Sequence, residues 1–346
     1  MKILFLYTLV TNSVYAVLRS LTEYKDVEIL VIYWDKGGNK PVNVPHIPKV
    51  VFQPVSAMSS NDIFNLSKSF GPNLIYVTAW QERRYLYVVY KFRIMKIPVV
   101  AGFDDNWLGN FRQHLGSVIV MLFSKYFFSH AMVSGPRQYH YAIKFGFKDS
   151  QILYYLFSAD VNSFLPIEHD NLMGKSNFIF VGRYHNVKGI STLADAFKIY
   201  KSRLNGKFNL ICFGNGPQRS LLEGIEDVTV NDYADMTTIV NEASKAVAFI
   251  LPSTYDPSPL IVHEMVSLGL PLVLSENVGN KHIFLINHFN GFTFKTSDPN
   301  DLARAMLKFD GLTLSELQEL SKNSYRLSLQ HRPDFVAASL ISVVKR

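Results

Sequence analysis

The sequence predicts an α/β protein built from two doubly wound domains in tandem. Apolar runs of strand length alternate with stretches of helical periodicity in both halves, a pattern typical of parallel sheets covered by helices on both faces. The 346 residues are too many for one ordinary core. Hydrophobic residues make up 48% and charged residues 18%, which excludes an intrinsically disordered chain.

Five strands are predicted in each half. Those of the first half are residues 2–7, 27–33, 74–78, 98–102 and 131–134, and those of the second are 178–181, 208–213, 228–230, 247–251 and 271–274. Apolar residues at helical spacing predict helices over 190–203, 236–245 and 301–308, and Asp298-Pro299 supplies a helix start. The polar segment 162–175 predicts the boundary between a first domain, 1–165, and a second, 166–325.

Charge is distributed unevenly between the halves. Up to residue 165 there are 17 Lys and Arg against 10 Asp and Glu, whereas from residue 166 onward both counts are 18. The net charge of +7 therefore belongs to the first half. This asymmetry predicts an anionic partner for that half: a membrane surface, a nucleic acid or a phosphorylated acceptor.

Two segments of the first half favour the membrane surface over the nucleic acid. Residues 82–96 interleave bases with aromatic residues, and 115–128 are apolar and aromatic, as in helices that lie on anionic membranes. The alternative is two core-packing helices with solvated bases. No nucleic-acid-binding motif accompanies them.

A reducing, cytoplasmic setting is expected for the chain. The single cysteine, Cys212, lies in the apolar run 208–213, which predicts a buried, inert thiol and no internal disulfide. No window has the apolar length of a membrane span, since the nearest, 118–133, is interrupted by Lys125 and His130.

A first candidate site lies where the predicted strand 178–181 ends in Gly182-Arg183 and Lys188-Gly189 opens the next helix. Glycines let the backbone approach a ligand, and a helix start offers free N–H groups to an anion. Two cations five residues apart at such an edge can neutralise a diphosphate. The alternative is a solvated loop whose charges have no specific partner.

A second candidate segment runs from Pro252 through Asp256 to Glu264 on the following helix. A carboxylate at Glu264 can accept both hydroxyls of a ribose, while the leading amides of that helix, Leu260 and Ile261, face a phosphate. The alternative for Glu264 is an exposed acid on an amphipathic helix.

Together these segments resemble the large retaining family of glycosyltransferases with the GT-B fold, glycosyl transferases group 1. The resemblance spans roughly residues 177–308 and adds three further matches: Gly214-Asn-Gly-Pro217, Gly269-Leu-Pro271, and Asn290-Gly291-Phe292 before the Asp298-Pro299 helix. It implies two Rossmann-like domains facing across a cleft that holds the site. It also implies that residues 326–346 form a C-terminal helix that packs back on the first domain.

The resemblance assigns roles to individual residues. Arg183 and Lys188 hold the donor diphosphate, Glu264 holds the ribose, and Asp256 lies beside the transferred sugar where the family carries a glutamate. Asn215 lies near the nucleotide, although a structural turn explains residues 214–217 equally well.

The first half departs from the family's pattern. Where these enzymes often carry a glycine pair after the first strand, the chain has residues 9–13, Leu-Val-Thr-Asn-Ser. Where they often place a histidine after the fourth strand, it has Asp104, followed by Asp105. Asp104 is expected either to contact a sugar hydroxyl or orient the acceptor, or to be a loop acid that caps the next helix.

The predicted function is retaining transfer of a sugar from a nucleotide sugar to a glycan or lipid-linked saccharide, without metal or cofactor. The sequence contains no Asp-x-Asp pair and no paired His/Cys spacing, so no motif in it suggests a metal site. The alternatives are a non-catalytic nucleotide-sugar-binding protein with the same fold, kept open by the departures at Asp256 and Asp104, and a GT-B sugar epimerase.

Overall fold

The computed structural model describes residues 1–35, 44–78, 82–160, 164–166 and 176–344. The chain divides into two compact units: the first is Met1–Asp160 with Arg332–Arg346, and the second is Val161–His331. The sequence-based boundaries lie at 165/166 and 325/326. Most of the predicted boundary segment, 162–175, lies outside the described residues.

The first unit holds a seven-stranded parallel sheet in the order β3-β2-β1-β4-β5-β6-β7. Its strands are β1 (Lys2–Leu6), β2 (Glu28–Tyr33), β3 (Val50–Pro54), β4 (Leu74–Val77), β5 (Val99–Phe103), β6 (His130–Val133) and β7 (Ile152–Leu153). The helices between them are α1 (Asn12–Thr22), α2 (Ser60–Phe70), α3 (Arg83–Ile94), α4 (Phe111–Phe127) and α5 (Pro136–Lys144).

The first sheet is buried on both faces, as an apolar β1 requires. Ile3 and Phe5 belong to one hydrophobic cluster, whereas Leu4 and Leu6 belong to the cluster on the opposite face. Successive side chains of a strand point to opposite faces, so a continuous apolar run fills two cores at once.

The second unit holds a six-stranded parallel sheet in the order β10-β9-β8-β11-β12-β13. Its strands are β8 (Asn177–Val181), β9 (Asn209–Phe213), β10 (Val228–Asn231), β11 (Ala246–Leu251), β12 (Leu272–Ser275) and β13 (Gly291–Phe294). Its helices are α6 (Ile190–Ser202), α7 (Met236–Ser244), α8 (Leu260–Ser267), α9 (Lys281–Phe284), α10 (Pro299–Asp310) and α11 (Leu314–Ser328).

The ends of these elements follow local chemistry. Helix α10 starts where Asp298-Pro299 predicts it, because the Asp298 side chain accepts from the Asp301 N–H and Pro299 occupies the first turn. Cys212 on β9 is buried, which confirms the predicted inert thiol and raises its pKa far above the usual range.

The last helix, α12 (Pro333–Ser342), belongs to the first unit. Its buried residues Val336, Ala337, Leu340 and Ile341 join the hydrophobic cluster that also contains the buried side of α1. The end of the chain thus supplies part of the core of the unit in which the chain begins.

Strand order reverses once in each sheet, between β1 and β4 in the first unit and between β8 and β11 in the second. In doubly wound sheets, ligands bind outside the carboxyl ends of the strands at such a switch point. In the second unit, these ends lead into Gly182-Arg183 and Pro252-Ser253, which are the segments singled out from the sequence.

Candidate functional site

The loops that leave β8 and β11 bring Lys188 and Asp256 into contact. Lys188 Nζ donates to Asp256 Oδ2, and the two side chains are only 16% and 12% exposed. Ser253 Oγ, fully buried, donates to the same carboxylate oxygen at 3.5 Å. A largely desolvated ion pair therefore lies at the switch point of the second sheet.

Glycine at position 189 permits this approach of the two loops. Gly189 has a φ of +69°, and a Cβ there would lie 2.0 Å from the carbonyl oxygen of Pro252. The Thr254 N–H then donates to the carbonyl oxygen of Val187 at 2.9 Å. Any larger residue at 189 would push the loop that carries Lys188 away from β11.

The backbone of Asp256 is fixed from its other side by a segment that the sequence-based prediction omitted. The Gly279 N–H donates to the carbonyl oxygen of Asp256 at 2.8 Å, and a Cβ on Gly279 would lie 1.8 Å from the carbonyl oxygen of Pro257. The acid is thus held in place by its backbone as well as by Lys188.

Arg183 lies at the end of β8 with its side chain exposed. No ion pair joins its guanidinium to another residue within the described parts of the chain. The two predicted diphosphate cations therefore differ: Lys188 is already paired, whereas Arg183 faces solvent.

Helix α8 begins beside the acid-bearing loop without a side-chain cap. Pro259 occupies its N-cap position, so the leading amides of Leu260 and Ile261 keep the unpaired, electropositive character of a helix N-terminus. Such a helix start can bind an anion.

Glu264 lies on the second turn of α8 and is partly buried. Burial raises the pKa of its carboxyl group from 4.5 to about 7. The alternative for Glu264, an exposed acid on an amphipathic helix, is therefore wrong, because the residue is partly buried and its environment disfavours the ionised form.

Asn280, the residue before α9, places its side chain against the start of α8, a contact that the sequence does not reveal. Its Nδ2 donates to the carbonyl oxygen of Pro259 at 2.8 Å, and its Oδ1 is buried with no hydrogen-bond partner among the described residues. The only sequence signal is its position after Gly279, since the contact joins segments 21 residues apart.

Asn215 forms the tight turn between β9 and the following loop. The Gly216 N–H donates to Asn215 Oδ1 at 2.7 Å, and the Tyr184 N–H donates to its carbonyl oxygen at 2.9 Å. These bonds give the residue a structural role in the turn. A nucleotide contact through Asn215 remains a prediction.

Asp104 lies in the first unit, directly after β5. Burial is the main cause that raises the pKa of both Tyr7 and Tyr76, whose rings stack at 6.1 Å. The charge of Asp104 adds to the rise in both, after the effect of Tyr7 in the case of Tyr76. Helix α4 is capped by Asn110, whose side chain accepts from the Gln113 N–H. The acids after β5 therefore do not cap the next helix, which was the alternative role.

An open cleft lies at the carboxyl ends of β2 and β3 in the first unit. Its lining combines an aromatic side chain, an aliphatic one, two acids, a hydroxyl and a guanidinium: Trp34, Val55, Asp35, Glu82, Ser56 and Arg84. Arg84 Nη2 pairs with Glu82 Oε2 at 2.9 Å. Polar groups beside an indole ring are suited to hold sugar hydroxyls and a sugar face.

Comparison of sequences relates the second unit to one family. Residues 175–309 match the family described as glycosyl transferases group 1. A 2-deoxystreptamine N-acetyl-D-glucosaminyltransferase of Niallia circulans is 26% identical over 178 residues, which cover 49% of this chain and 43% of that protein. The match thus spans less than half the length of that relative.

Comparison of structures covers the whole chain. Sucrose-phosphate synthase from Thermosynechococcus elongatus is similar with a TM-score of 0.76 at 15% identity, over 100% of this chain and 98% of that one. The Anabaena protein HepE, in a crystal structure with UDP and glucose, is similar with a TM-score of 0.74 at 16% identity, over 100% and 99%. At these identities the likeness shows the fold, and the predicted pair of Rossmann-like domains of the GT-B type is confirmed.

Proposed function

We propose that this chain is a glycosyltransferase that transfers a sugar from a nucleotide-sugar donor to a glycan or lipid-linked saccharide, with retention of anomeric configuration and without a metal ion. The Lys188–Asp256 pair at the switch point of the second sheet is the observation that carries this proposal. The family match over residues 175–309, which contains the pair, supports it, as does the GT-B fold. Such a transferase would act in polysaccharide biosynthesis on the cytoplasmic side of the membrane.

The diphosphate of the donor would bind among three kinds of positive group. As the bond between the sugar and the diphosphate breaks, negative charge develops on the leaving oxygen. Arg183, exposed and without an ion-pair partner in the described residues, and the uncapped start of α8 at Leu260 and Ile261 can each approach it. The Lys188 ammonium has three N–H donors, so it can bind a phosphate oxygen while it remains bonded to Asp256.

Asp256 would have two roles in this arrangement. Its Oδ2 orients Lys188, and the remaining oxygen is available to a hydroxyl of the transferred sugar. Aspartate is one methylene shorter than the glutamate usual in the family, so its reach toward the sugar is shorter. Asp104, with Tyr7 and Tyr76 beside it, and the cleft lined by Trp34 and Arg84 are the proposed acceptor-side groups of the first unit.

A thermal-shift screen tests the nucleotide-sugar assignment. The probes are UDP, GDP and ADP, each free and linked to glucose, N-acetylglucosamine, galactose or mannose. We expect one base series to raise the melting temperature, because a ligand that binds only the folded state stabilises it. If no nucleotide sugar shifts the melting temperature at millimolar concentration, the donor site proposed here is wrong.

Donor affinity should depend on pH through Glu264. Ribose hydroxyls donate to a carboxylate, so only the ionised form binds well, and a pKa of about 7 leaves roughly one tenth of the molecules ionised at pH 6. We expect the Kd of the nucleotide sugar found in the screen to fall about tenfold from pH 6 to pH 8. Isothermal titration calorimetry at several pH values measures this dependence.

Glu264→Gln supplies the control for that dependence. The amide is neutral at every pH, so its weaker donor binding should be independent of pH. Folding raises the pKa of Glu264, so the wild-type protein loses stability as the pH rises from 4.5, the pKa in the unfolded chain, through about 7. The glutamine variant has no such loss and should therefore also melt higher than wild type at pH 8. Glu319→Gln, on an exposed side chain of α11, should behave as wild type. Unchanged donor binding in Glu264→Gln and Glu264→Ala would contradict the ribose role.

A non-catalytic binding protein is the second candidate, because the chain has Asp256 where the family carries a glutamate and Asp104 where it often carries a histidine. Such a protein would bind a nucleotide sugar in the screen but neither transfer nor hydrolyse it. A sugar epimerase would convert the bound nucleotide sugar without any acceptor. Product analysis after incubation of donor with and without saccharide acceptors separates the three activities.

A further inference from the structure

Helix α4 exposes apolar side chains along most of its length. Phe111, Leu115, Val118 and Leu122 recur at helical spacing and are 83%, 55%, 51% and 56% exposed. Four further exposed side chains widen this surface, which we name the α4 face: Ile119, Met121, Phe123 and Tyr126. Exposed apolar residues scattered singly are normal, whereas a contiguous set on one helix indicates an interaction surface.

The inner side of α4 combines two small serines with Val120 and Phe127, which are partly buried and pack against the core, so most of the large apolar side chains of the helix face outward. Its buried residues are Ser117 and Ser124. Ser124 Oγ donates to the carbonyl oxygen of Phe145 at 3.1 Å, and the Phe127 ring lies 5.7 Å from that of Tyr90 on α3. The helix is therefore anchored to the first unit through its serine side and its C-terminal end, while the described residues of that unit leave the α4 face uncovered.

The helices around this face carry bases and no acids. Helices α3, α4 and α5 together hold eight Lys and Arg and no Asp or Glu. On α4 itself, Arg112 and Lys125 are exposed beside the apolar side chains. The nearest acids in sequence, Asp104 and Asp105, follow β5.

We propose that the α4 face docks on an anionic membrane surface. Its apolar side chains would enter the boundary between headgroups and acyl chains, while Arg112, Lys125 and the exposed bases of the neighbouring helices, Arg83 and Lys144, bind lipid phosphates. A second copy of the chain, meeting this face with its own, would place like charges opposite one another, which disfavours a symmetric dimer here. The charge of the surroundings therefore selects the lipid surface as the occupant.

Within the described segments, no helix is long and apolar enough to cross a membrane. The proposed contact is instead that of a helix lying in the interface plane, for which an apolar face with basic flanks is the expected pattern. It does not depend on the proposed transferase activity, because the face is defined by its exposure and charge alone.

Co-sedimentation of the full chain with lipid vesicles tests the proposal. The probes are vesicles of phosphatidylcholine alone and vesicles in which about one third of the lipid is phosphatidylglycerol. We expect binding to the anionic vesicles that weakens as salt is added, and binding to neutral vesicles that is weaker by about tenfold or more. Failure of the wild-type chain to bind anionic vesicles overturns the proposal.

Paired substitutions locate the contact. Leu115→Ser with Leu122→Ser should lower binding to anionic vesicles by about tenfold or more, since both side chains lose their transfer into the interface. Lys125→Glu should weaken binding to anionic vesicles and leave binding to neutral vesicles unchanged. Ile286→Ser with Leu314→Ser removes exposed apolar side chains of the second unit, 53% and 40% exposed, and should bind as wild type.

Two control measurements keep the outcome specific. Because the substituted side chains are exposed, the melting temperature and the nucleotide-induced shift should be the same in the α4 variants as in wild type. If Leu115→Ser with Leu122→Ser binds vesicles as wild type does, the proposal is wrong. It is also wrong if the wild-type chain is a dimer that this variant converts to a monomer, because the α4 face would then be an interface between copies.

Discussion

Replacing Lys188 with alanine is expected to lower sugar transfer by about 100- to 1000-fold, enough to abolish turnover in an ordinary assay. Lys188 Nζ is fixed by Asp256 at the switch point of the second sheet, where the diphosphate would leave. A preorganised cation in a largely desolvated position stabilises developing charge far better than water does, because it needs no reorganisation during the reaction.

The measurement is steady-state kinetics with the donor identified by the thermal-shift screen, together with circular dichroism to verify the fold. Lys198→Ala is the matched control, since Lys198 lies exposed on α6, the helix that Lys188 precedes. Lys188→Arg keeps the charge but places a larger planar group against Asp256, so partial activity is expected. Normal turnover in a folded Lys188→Ala protein would refute the assignment of this loop to the diphosphate.

The sheets of this protein could be predicted from sequence where strands are apolar and long enough. The β1 run predicts a strand buried on both faces, and its side chains do enter both hydrophobic clusters. The strands that were missed lack this signal: β3 lies at the sheet edge, ends in Pro54 and is partly exposed, and β7 has only two residues. Strand β13, Gly-Phe-Thr-Phe, is also absent from the predicted strands, and its first two residues belong to the Asn290-Gly291-Phe292 match.

The candidate site was predictable in its order along the chain but not in its contacts. Glycines and cations after β8 indicate a phosphate-binding loop, whereas the ion pair joins residues 68 positions apart and depends on how closely two loops approach. The raised pKa of Glu264 likewise reflects burial by surrounding residues, which no local pattern encodes. Asp104 could be placed at a strand end, but its tyrosine neighbours come from two other strand ends of the first sheet.

For α4, the sequence could not predict which side of the helix is buried. Its sequence is apolar on nearly every side, so periodicity could not tell which face is buried. In the structure Ser117 and Ser124 are the buried residues, and Ser124 Oγ donates to the carbonyl oxygen of Phe145, so the serine side of the helix faces the unit. This packing leaves exposed the apolar residues that suggested either a core helix or a membrane-facing one.

Asp256→Asn is expected to destabilise the unliganded protein by about 3 kcal/mol, because it leaves the Lys188 ammonium largely buried without a counter-charge. Thermal or denaturant unfolding measures the loss. The double variant Lys188→Met with Asp256→Asn should lose less than the sum of the single changes, since each single change leaves one charge unpaired. If the double variant loses as much stability as the two single variants added together, the ion pair contributes nothing.

Nucleotide binding distinguishes this role of Asp256 from a purely structural one. In Asp256→Asn, a donor diphosphate would supply the missing negative charge, so the melting temperature should rise more on nucleotide binding than it does in wild type, even though transfer falls. Asp256→Glu restores the residue usual in the family and keeps the charge, so its unliganded stability should stay closer to wild type than that of Asp256→Asn. If nucleotide binding stabilises Asp256→Asn no more than wild type, then Lys188 does not face the diphosphate, and Asp256 holds it for some other purpose. If nucleotide raises the melting temperature of Asp256→Asn more than that of wild type while transfer is lost, the carboxylate lies between the cation that binds the leaving group and the sugar that is transferred.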